Sequence, residues 1–256
     1  MPLDQDEFVH LLGDFYEFCD RVFWTIGIEY PPPSGWPTIT PSTLGRLQLD
    51  NNTLELLWRI PYPKADPADD SNLSRPLIMP NTGVCDYRSS VAQAHLRDGS
   101  MPVPYGPNTG LDPRLPPSCV CLASGTGSWV VVDTDNGLVY WGERTRRPVA
   151  VLGETVTEPA RAGDADWWRE RANVYRPAEF FELCKQRYRD LAWIGLGRDR
   201  VSGMLLDLCW VDDTSWDEGH MAAAGAMMEA GWPGDREGRG WDRERFWERF
   251  VSWEDH

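Results

Sequence analysis

The sequence predicts an α+β fold: a central, mainly antiparallel sheet with a three-stranded meander, flanked by helices and followed by a helical carboxy-terminal portion. Three observations carry this expectation. Residues 118–143, SCVCLASGTGSWVVVDTDNGLVYWGE, alternate strand-forming runs with glycine turns. Residues 4–24 repeat apolar side chains at helical spacing. Helical patterns gather before and after the strands instead of alternating with them, which argues against a βαβ series.

The first helix, 4–24, places Phe8, Leu11, Leu12, Phe15, Phe18, Cys19, Val22 and Phe23 on one face, with acids between them. Asp4, Asp6 and Glu7 suit the positive end of its dipole. Pro31-Pro32-Pro33-Ser34-Gly35 then ends regular structure. Thr40-Pro41 predicts another helix, with threonine as cap and proline at the first helical position. A short helix at about 52–59 stops before Pro61. Through 61–117 proline and glycine interrupt every element. Leu77-Ile78-Met79 and Val84-Cys85-Asp86-Tyr87 are expected as short strands, and 89–97 as one or two helical turns.

In the meander, Trp129, Val130, Val131 and Val132, then Leu138, Val139, Tyr140 and Trp141, suit a pleated, half-buried surface. Asn136-Gly137 between them predicts a hairpin with a type I′ turn, which needs positive φ at both central positions. Cys119 and Cys121 alternate with Val120 and Leu122, so both sulfurs are expected on one face. After the meander come a basic cluster, Arg144-Thr145-Arg146-Arg147, and an acidic loop at 153–166. A helix is predicted over 177–193, with Phe180, Phe181, Cys184, Tyr188 and Leu191 apolar. Residues 203–211 are a buried segment, strand or short helix. A helix over 216–230 ends at Gly231-Trp232-Pro233, and a last one covers 241–253. No internal repeat or long flexible linker divides the chain, so 1–256 is expected to form a single domain.

The 256 residues carry 14 tryptophans and a formal charge of −15, enough apolar mass for a substantial core. That charge argues against a nucleic-acid partner, since phosphate binding depends on clustered Lys and Arg. It suits a protein partner with a basic face. Lys64 and Lys185 are the only lysines. The amino terminus, MPLDQDEF, is acidic where a secretory signal would be basic. No apolar run approaches the ~20 residues of a spanning helix, so no membrane association is expected. The six cysteines then read as reduced and mostly buried in a cytoplasmic protein, with the nucleus left open.

No catalytic set emerges. Asp133-Thr134-Asp135-Asn136-Gly137 begins like a calcium loop, but its glycine comes one residue early and position twelve is Arg144. Gly125-Thr126-Gly127-Ser128 lacks the lysine and following helix of a phosphate loop. Cys119-x-Cys121 has no second ligand pair nearby. Asp212, Asp213, Asp217, Glu218 and His220 are the best metal or acid–base candidates, although acids at a helix start serve the dipole equally well. No cofactor is expected.

The meander and its flanks resemble the SMI1/KNR4-like (SUKH) superfamily. The matching residues are Gly125, Gly127, 129–133, Gly137, Val139 and Tyr140, together with an amino-terminal helix and an early Trp36-Pro37. Leu56-Leu57-Trp58-Arg59-Ile60-Pro61-Tyr62 and Gly231-Trp232-Pro233 look like features of uncharacterised fungal proteins of this kind. The resemblance spans roughly 5–150, and Ser128 stands where family members often carry aspartate. It implies protein binding without a reaction: immunity proteins in bacteria, cell-wall regulation and signalling in fungi. The expected docking surface is a sheet edge or loop, with Trp36, Trp58 and Trp141 as candidate anchors and Asp133 and Asp135 in the acidic rim. The rival readings are a toxin-neutralising immunity protein and a metal-dependent enzyme built on the 212–220 acids.

Overall fold

A computed structural model describes residues 1–24, 26–64, 75–98, 107, 115–126, 128–143, 148, 156, 158–159, 167–196, 204–207 and 218–254. The basic cluster at 144–147, Asp212, Asp213 and Asp217 lie outside these residues, as does most of the 153–166 loop.

Helix α1 runs Gln5–Cys19, capped by Asp4, whose carboxylate accepts the Glu7 N–H at 3.1 Å. It widens into a π-type turn at Asp20–Trp24. There Asp20 Oδ1 accepts the N–H groups of Ile26 and Gly27, at 2.8 and 2.7 Å, and ends the element. The predicted stripe is buried, apart from the half-buried Leu11. Strand β1, Ile28–Glu29, follows.

No α-helix starts at Thr40-Pro41. Thr40 Oγ1 does accept the Thr43 N–H, but the chain makes only turns and a 3-10 segment at Gly45–Leu47. One buried side chain, Leu44, gives that stretch no apolar stripe to hold a longer helix. Helix α2, Asn51–Arg59, has Asp50 as its cap. Strand β2, Tyr62–Pro63, pairs with β1.

Strands β3, Leu77–Met79, and β4, Thr82–Val84, form a hairpin. The second strand therefore starts and ends earlier than Val84-Cys85-Asp86-Tyr87 suggests. Asn81, with φ 53°, turns the chain before Thr82. Helix α3 is Ser90–Asp98. The meander is β5, Cys119–Gly125, β6, Ser128–Asp133, and β7, Leu138–Glu143. Strand β8, Glu158–Pro159, helix α4, Trp167–Glu170, and strand β9, Ala172–Tyr175, come next. Strands of two to four residues are too short for periodicity to reveal, and β1, β2, β8 and β9 have no counterpart in the sequence reading.

Helix α5, Pro177–Arg189, ends four residues before Trp193 because Leu191 adopts a left-handed conformation, φ 57°. Trp193 instead opens strand β10, Trp193–Leu196, which pairs with β11, Met204–Asp207. The 203–211 segment is thus a strand over its described part. Helices α6, Glu218–Glu229, and α7, Arg243–Glu254, complete the chain.

Seven strands form one sheet in the order β3-β4-β5-β6-β7-β9-β8, every neighbouring pair antiparallel, with the meander in the middle. Both faces are covered. Trp141 points toward α5 and β10, edge-on to Trp193 at 6.0 Å, while its neighbour Tyr140 meets Trp168 of α4 at 5.2 Å on the opposite face. Helices α1 and α5 pack through Phe8, Phe15 and Phe181, with ring centroids 5.7 and 5.5 Å apart. The carboxy-terminal helices join the same core: Trp232 lies 6.5 Å from Phe18, and its indole N–H is shared between the carbonyls of Tyr188 and Arg189.

The hairpin between β6 and β7 is present, but its turn is not type I′. Residues 134–137 form a four-residue loop in which Gly137 has positive φ, 63°, and Asn136 does not. Gly137 N–H bonds to Asp133 O at 2.9 Å. Asp133 Oδ1 accepts the N–H groups of Asp135 and Asn136, both at 3.1 Å. This carboxylate selects the wider turn by satisfying two backbone donors that a two-residue loop would not present.

Candidate functional site

Large exposed apolar side chains on a rigid support occur where the segment after β1 lies against the end of α2. The chain turns through Pro31-Pro32-Pro33, closed by Gly35 N–H to Pro32 O at 2.8 Å. Gly35 has φ 76°, and a Cβ there would meet Trp58 Cβ at 3.0 Å, so glycine alone lets the loop lie on Trp58. Trp36 N–H donates to Trp58 O, and the Trp58 indole N–H donates to Ile39 O. Tyr30 at one end of the loop is 51% exposed and Trp58 at the other 36%.

A buried stack supports this loop. Trp36 is edge-on to Tyr62 at 5.8 Å and donates its indole N–H to Ile60 O at 2.9 Å. The Arg88 guanidinium lies 4.5 Å from the Trp36 ring centre and 4.6 Å from that of Tyr62. Its nitrogens bond Asp86, Glu29 and Pro63 O at 2.6–3.2 Å. Burial lowers the Arg88 pKa, but the bonds and charges of Asp86 and Glu29 more than offset this and hold it above the ordinary arginine value. Arg88 is thus consumed in joining β1, β2 and the 86–88 segment, and it stiffens the base of the loop.

Acids stand around the platform. Tyr30 Oη donates to Glu17 Oε1 at 2.5 Å, and Asp6 pairs with Arg59 next to Trp58. Partial burial, then the Glu17 hydrogen bond, push the Tyr30 phenol up to about 12. The surface thus presents two exposed amphipathic rings, Tyr30 just before the proline loop and Trp58 on α2 beneath its end, with carboxylates beside them.

The sequence-predicted residues are not gathered into one surface. Trp58 is on the platform and Asp135 is exposed in the β6–β7 turn. Trp36 and Trp141 are only 7% and 5% exposed, so neither is an anchor for a partner. Trp36 serves from below. Trp141 is packed between Trp193, to which it is edge-on, and Arg187, whose guanidinium is 5.1 Å away. Asp133 is 1% exposed and belongs to no rim: it holds the turn, and Arg169 lies 3.6 Å from its Oδ2. The amino terminus covers this turn, with Leu3 N–H on Thr134 O at 2.8 Å.

Of the acidic set, Asp212, Asp213 and Asp217 are outside the described residues. Glu218 is exposed, and His220 is buried with Nε2 2.7 Å from Leu191 O, a bond that ties α6 to the end of α5. Among the described residues no group of three or more His, Cys, Asp or Glu is placed to hold a metal ion. Sequence reasoning missed Tyr30 and Arg88. Tyr30 carried a usable signal: three prolines follow it, and prolines offer no backbone N–H with which to bury a segment. Arg88 carried none, because its aromatic partners are distant in sequence.

No family model, curated protein or solved structure matches this chain. Among the described residues, no helix is long and apolar enough to cross a membrane.

Proposed function

We propose that this chain is a non-catalytic protein-binding module of the SMI1/KNR4-like kind, working in the cytoplasm on a partner with a basic docking face. The supporting observation is the pair Tyr30, exposed just before the proline loop, and Trp58, exposed on α2 where that loop packs, beside the buried Trp36–Arg88–Tyr62 stack. An aromatic anchor contributes most to binding when it is already immobilised, since little side-chain entropy is then lost on association. Carboxylates at the edge and the net charge of −15 would speed encounter with a basic surface. The cytoplasmic assignment is supported by five buried, unbridged cysteines among the described residues.

The test compares what the immobilised full chain retains with what Tyr30→Ala/Trp58→Ala retains, using Met221→Ala/Met228→Ala as a control for loss of exposed apolar area elsewhere. The expected result is a stoichiometric basic partner held by the wild type and the methionine control, released by salt, and lost from the aromatic variant. Equal retention by all three proteins, or no stoichiometric partner, would overturn the reading.

A further inference from the structure

A cluster of polar and sulfur groups outside the docking platform has a chemistry of its own. Strand β5 carries a one-residue bulge at Leu122: Cys121 faces Val131 and Ala123 faces Val130 across the ladder. In an unbroken strand, Cys121 and Ser124 would point to opposite faces, being three residues apart. The bulge restores them to one face. Cys85, just past β4, bonds through its N–H to Leu122 O at 2.8 Å and so lies directly beside this irregularity. Its Sγ is 3.9 Å from Cys121 Sγ and 3.7 Å from Ser124 Oγ. Arg75 crosses the group, with Nη1 3.0 Å from Ser124 Oγ and 4.0 Å from Cys85 Sγ.

We propose that Cys85 and Cys121 are a peroxide-responsive dithiol site, in which Cys85 is oxidised by a small hydroperoxide and Cys121 resolves it to a disulfide linking the end of β4 to the bulge of β5. The Cys85 thiolate attacks one peroxide oxygen and the O–O bond breaks, leaving Cys85 as the sulfenic acid. The departing oxygen takes a proton to become water or an alcohol. Cys121 sulfur then attacks Cys85 sulfur, the S–O bond breaks, and the Cys121 proton leaves with hydroxide as water. Two thiols lose two electrons and two protons, and the peroxide is reduced.

The geometry meets the requirements in turn. The sulfurs need to close from 3.9 Å to a bond of ~2.05 Å, a movement of side-chain rotation on adjacent strands. The guanidinium of Arg75 favours the thiolate, which is the nucleophile. Burial raises the Cys85 pKa, but the hydrogen bond with Cys121 and the Arg75 charge bring it below its ordinary value. Cys19 is pushed well up by burial, and Cys119 is raised to about 12 by burial and the Asp133 charge. Cys85 is therefore set apart from these other buried thiols. Both members of the pair are only 1% exposed beside the half-buried Arg75, which excludes bulky disulfides and confines the oxidant to a small hydroperoxide that reaches the sulfurs when the Arg75 side chain moves aside.

The experiment treats the native full chain with hydrogen peroxide, removes the excess with catalase, alkylates after denaturation and maps the peptides by mass. The expected product joins the peptides of Cys85 and Cys121, two hydrogens lighter than their sum, before Cys19, Cys119 or Cys184 lose alkylation, and dithiothreitol reverses it. Cys121→Ser should stop at a sulfenic acid on Cys85 that dimedone traps. Arg75→Met should slow Cys85 oxidation about tenfold through the lost thiolate fraction. The proposal is overturned if Cys85 and Cys121 stay free while the other four cysteines oxidise, or if Cys85 passes to the sulfinic acid with no cross-link in the wild type.

Discussion

The indole of Trp129 lies across Gly142, its cross-strand partner in the middle of the sheet. A Cβ placed on Gly142 would stand 2.0 Å from Trp129 Cζ2, a separation no pair of non-bonded carbon atoms tolerates. The glycine leaves a slot in β7, and the ring fills it on the face that also carries Trp168, 5.5 Å away. Sheet pairing and aromatic packing are thus coupled at one position.

Gly142→Ala should therefore force the Trp129 ring out of its slot and cost about 1–3 kcal/mol, as overpacking does in well-filled cores. Gly45→Ala, where nothing lies within 4 Å, should stay within ~0.5 kcal/mol of the wild type. Urea unfolding midpoints of the two variants check the contrast, and equal midpoints would contradict it.

Asp133 is assigned to the turn, so its loss should be felt as lost stability. Asp133→Ala removes the acceptor of two backbone N–H groups and of Asn136 Nδ2, which is 2.9 Å away, and leaves Arg169 without that carboxylate. A loss of about 2–4 kcal/mol is expected for a buried acceptor of this kind. Asp133→Asn keeps one acceptor oxygen and should lose less. Denaturant titration of the two variants gives the order.

Glu237 is the hinge of a charge network between α1, α5 and the loop before α7. Its two oxygens each sit 2.7 Å from a cation, Lys185 Nζ and Arg189 Nη2, whose side chains are nearly buried. Asp14 also bonds Lys185, at 2.6 Å. Glu237→Gln should cost about 2–3 kcal/mol, because the two cations are left with less compensating charge than their burial requires. Thermal unfolding of Glu237→Gln beside Glu17→Gln, whose carboxylate is half-exposed, measures the difference.

Tyr30 should titrate at about 12, above the ordinary value near 10. The folded state then holds the phenolic proton more tightly than the unfolded chain. The stabilisation is complete below pH ~10 and is lost as pH rises toward ~12. Glu17→Gln removes the Glu17 charge while burial and Asp14 remain, so the Tyr30 midpoint should fall and alkaline unfolding should depend less on this residue. Ultraviolet difference titration against Tyr30→Phe reads the midpoint directly.

Much of the framework was legible in local pattern. The α+β class, the meander at 118–143, the first helix and the short helix before Pro61 all follow from apolar period, capping residues and proline positions. So does the existence of a hairpin at Asn136-Gly137. The candidate site was legible only through Trp58. Whether a tryptophan meets solvent depends on what folds over it, and Trp36, Trp58 and Trp141 carry no sequence mark that separates them.

What sequence alone determined is therefore local: which stretches are helix or strand, where chain direction changes, and that the protein is acidic and rich in aromatics. Tertiary structure decided the rest. It shortened α5 by placing Leu191 in a left-handed turn, and it widened the β6–β7 turn through the Asp133 carboxylate. It buried Trp36 beneath an arginine from a distant segment. Through a single bulge at Leu122 it brought Cys121 and Ser124 to Cys85. The physical reason is common to all four. Each outcome turns on a specific contact, that of the Asp133 carboxylate with backbone donors two and three residues on and the others with residues farther along the chain, and no apolar periodicity within one segment encodes its partner.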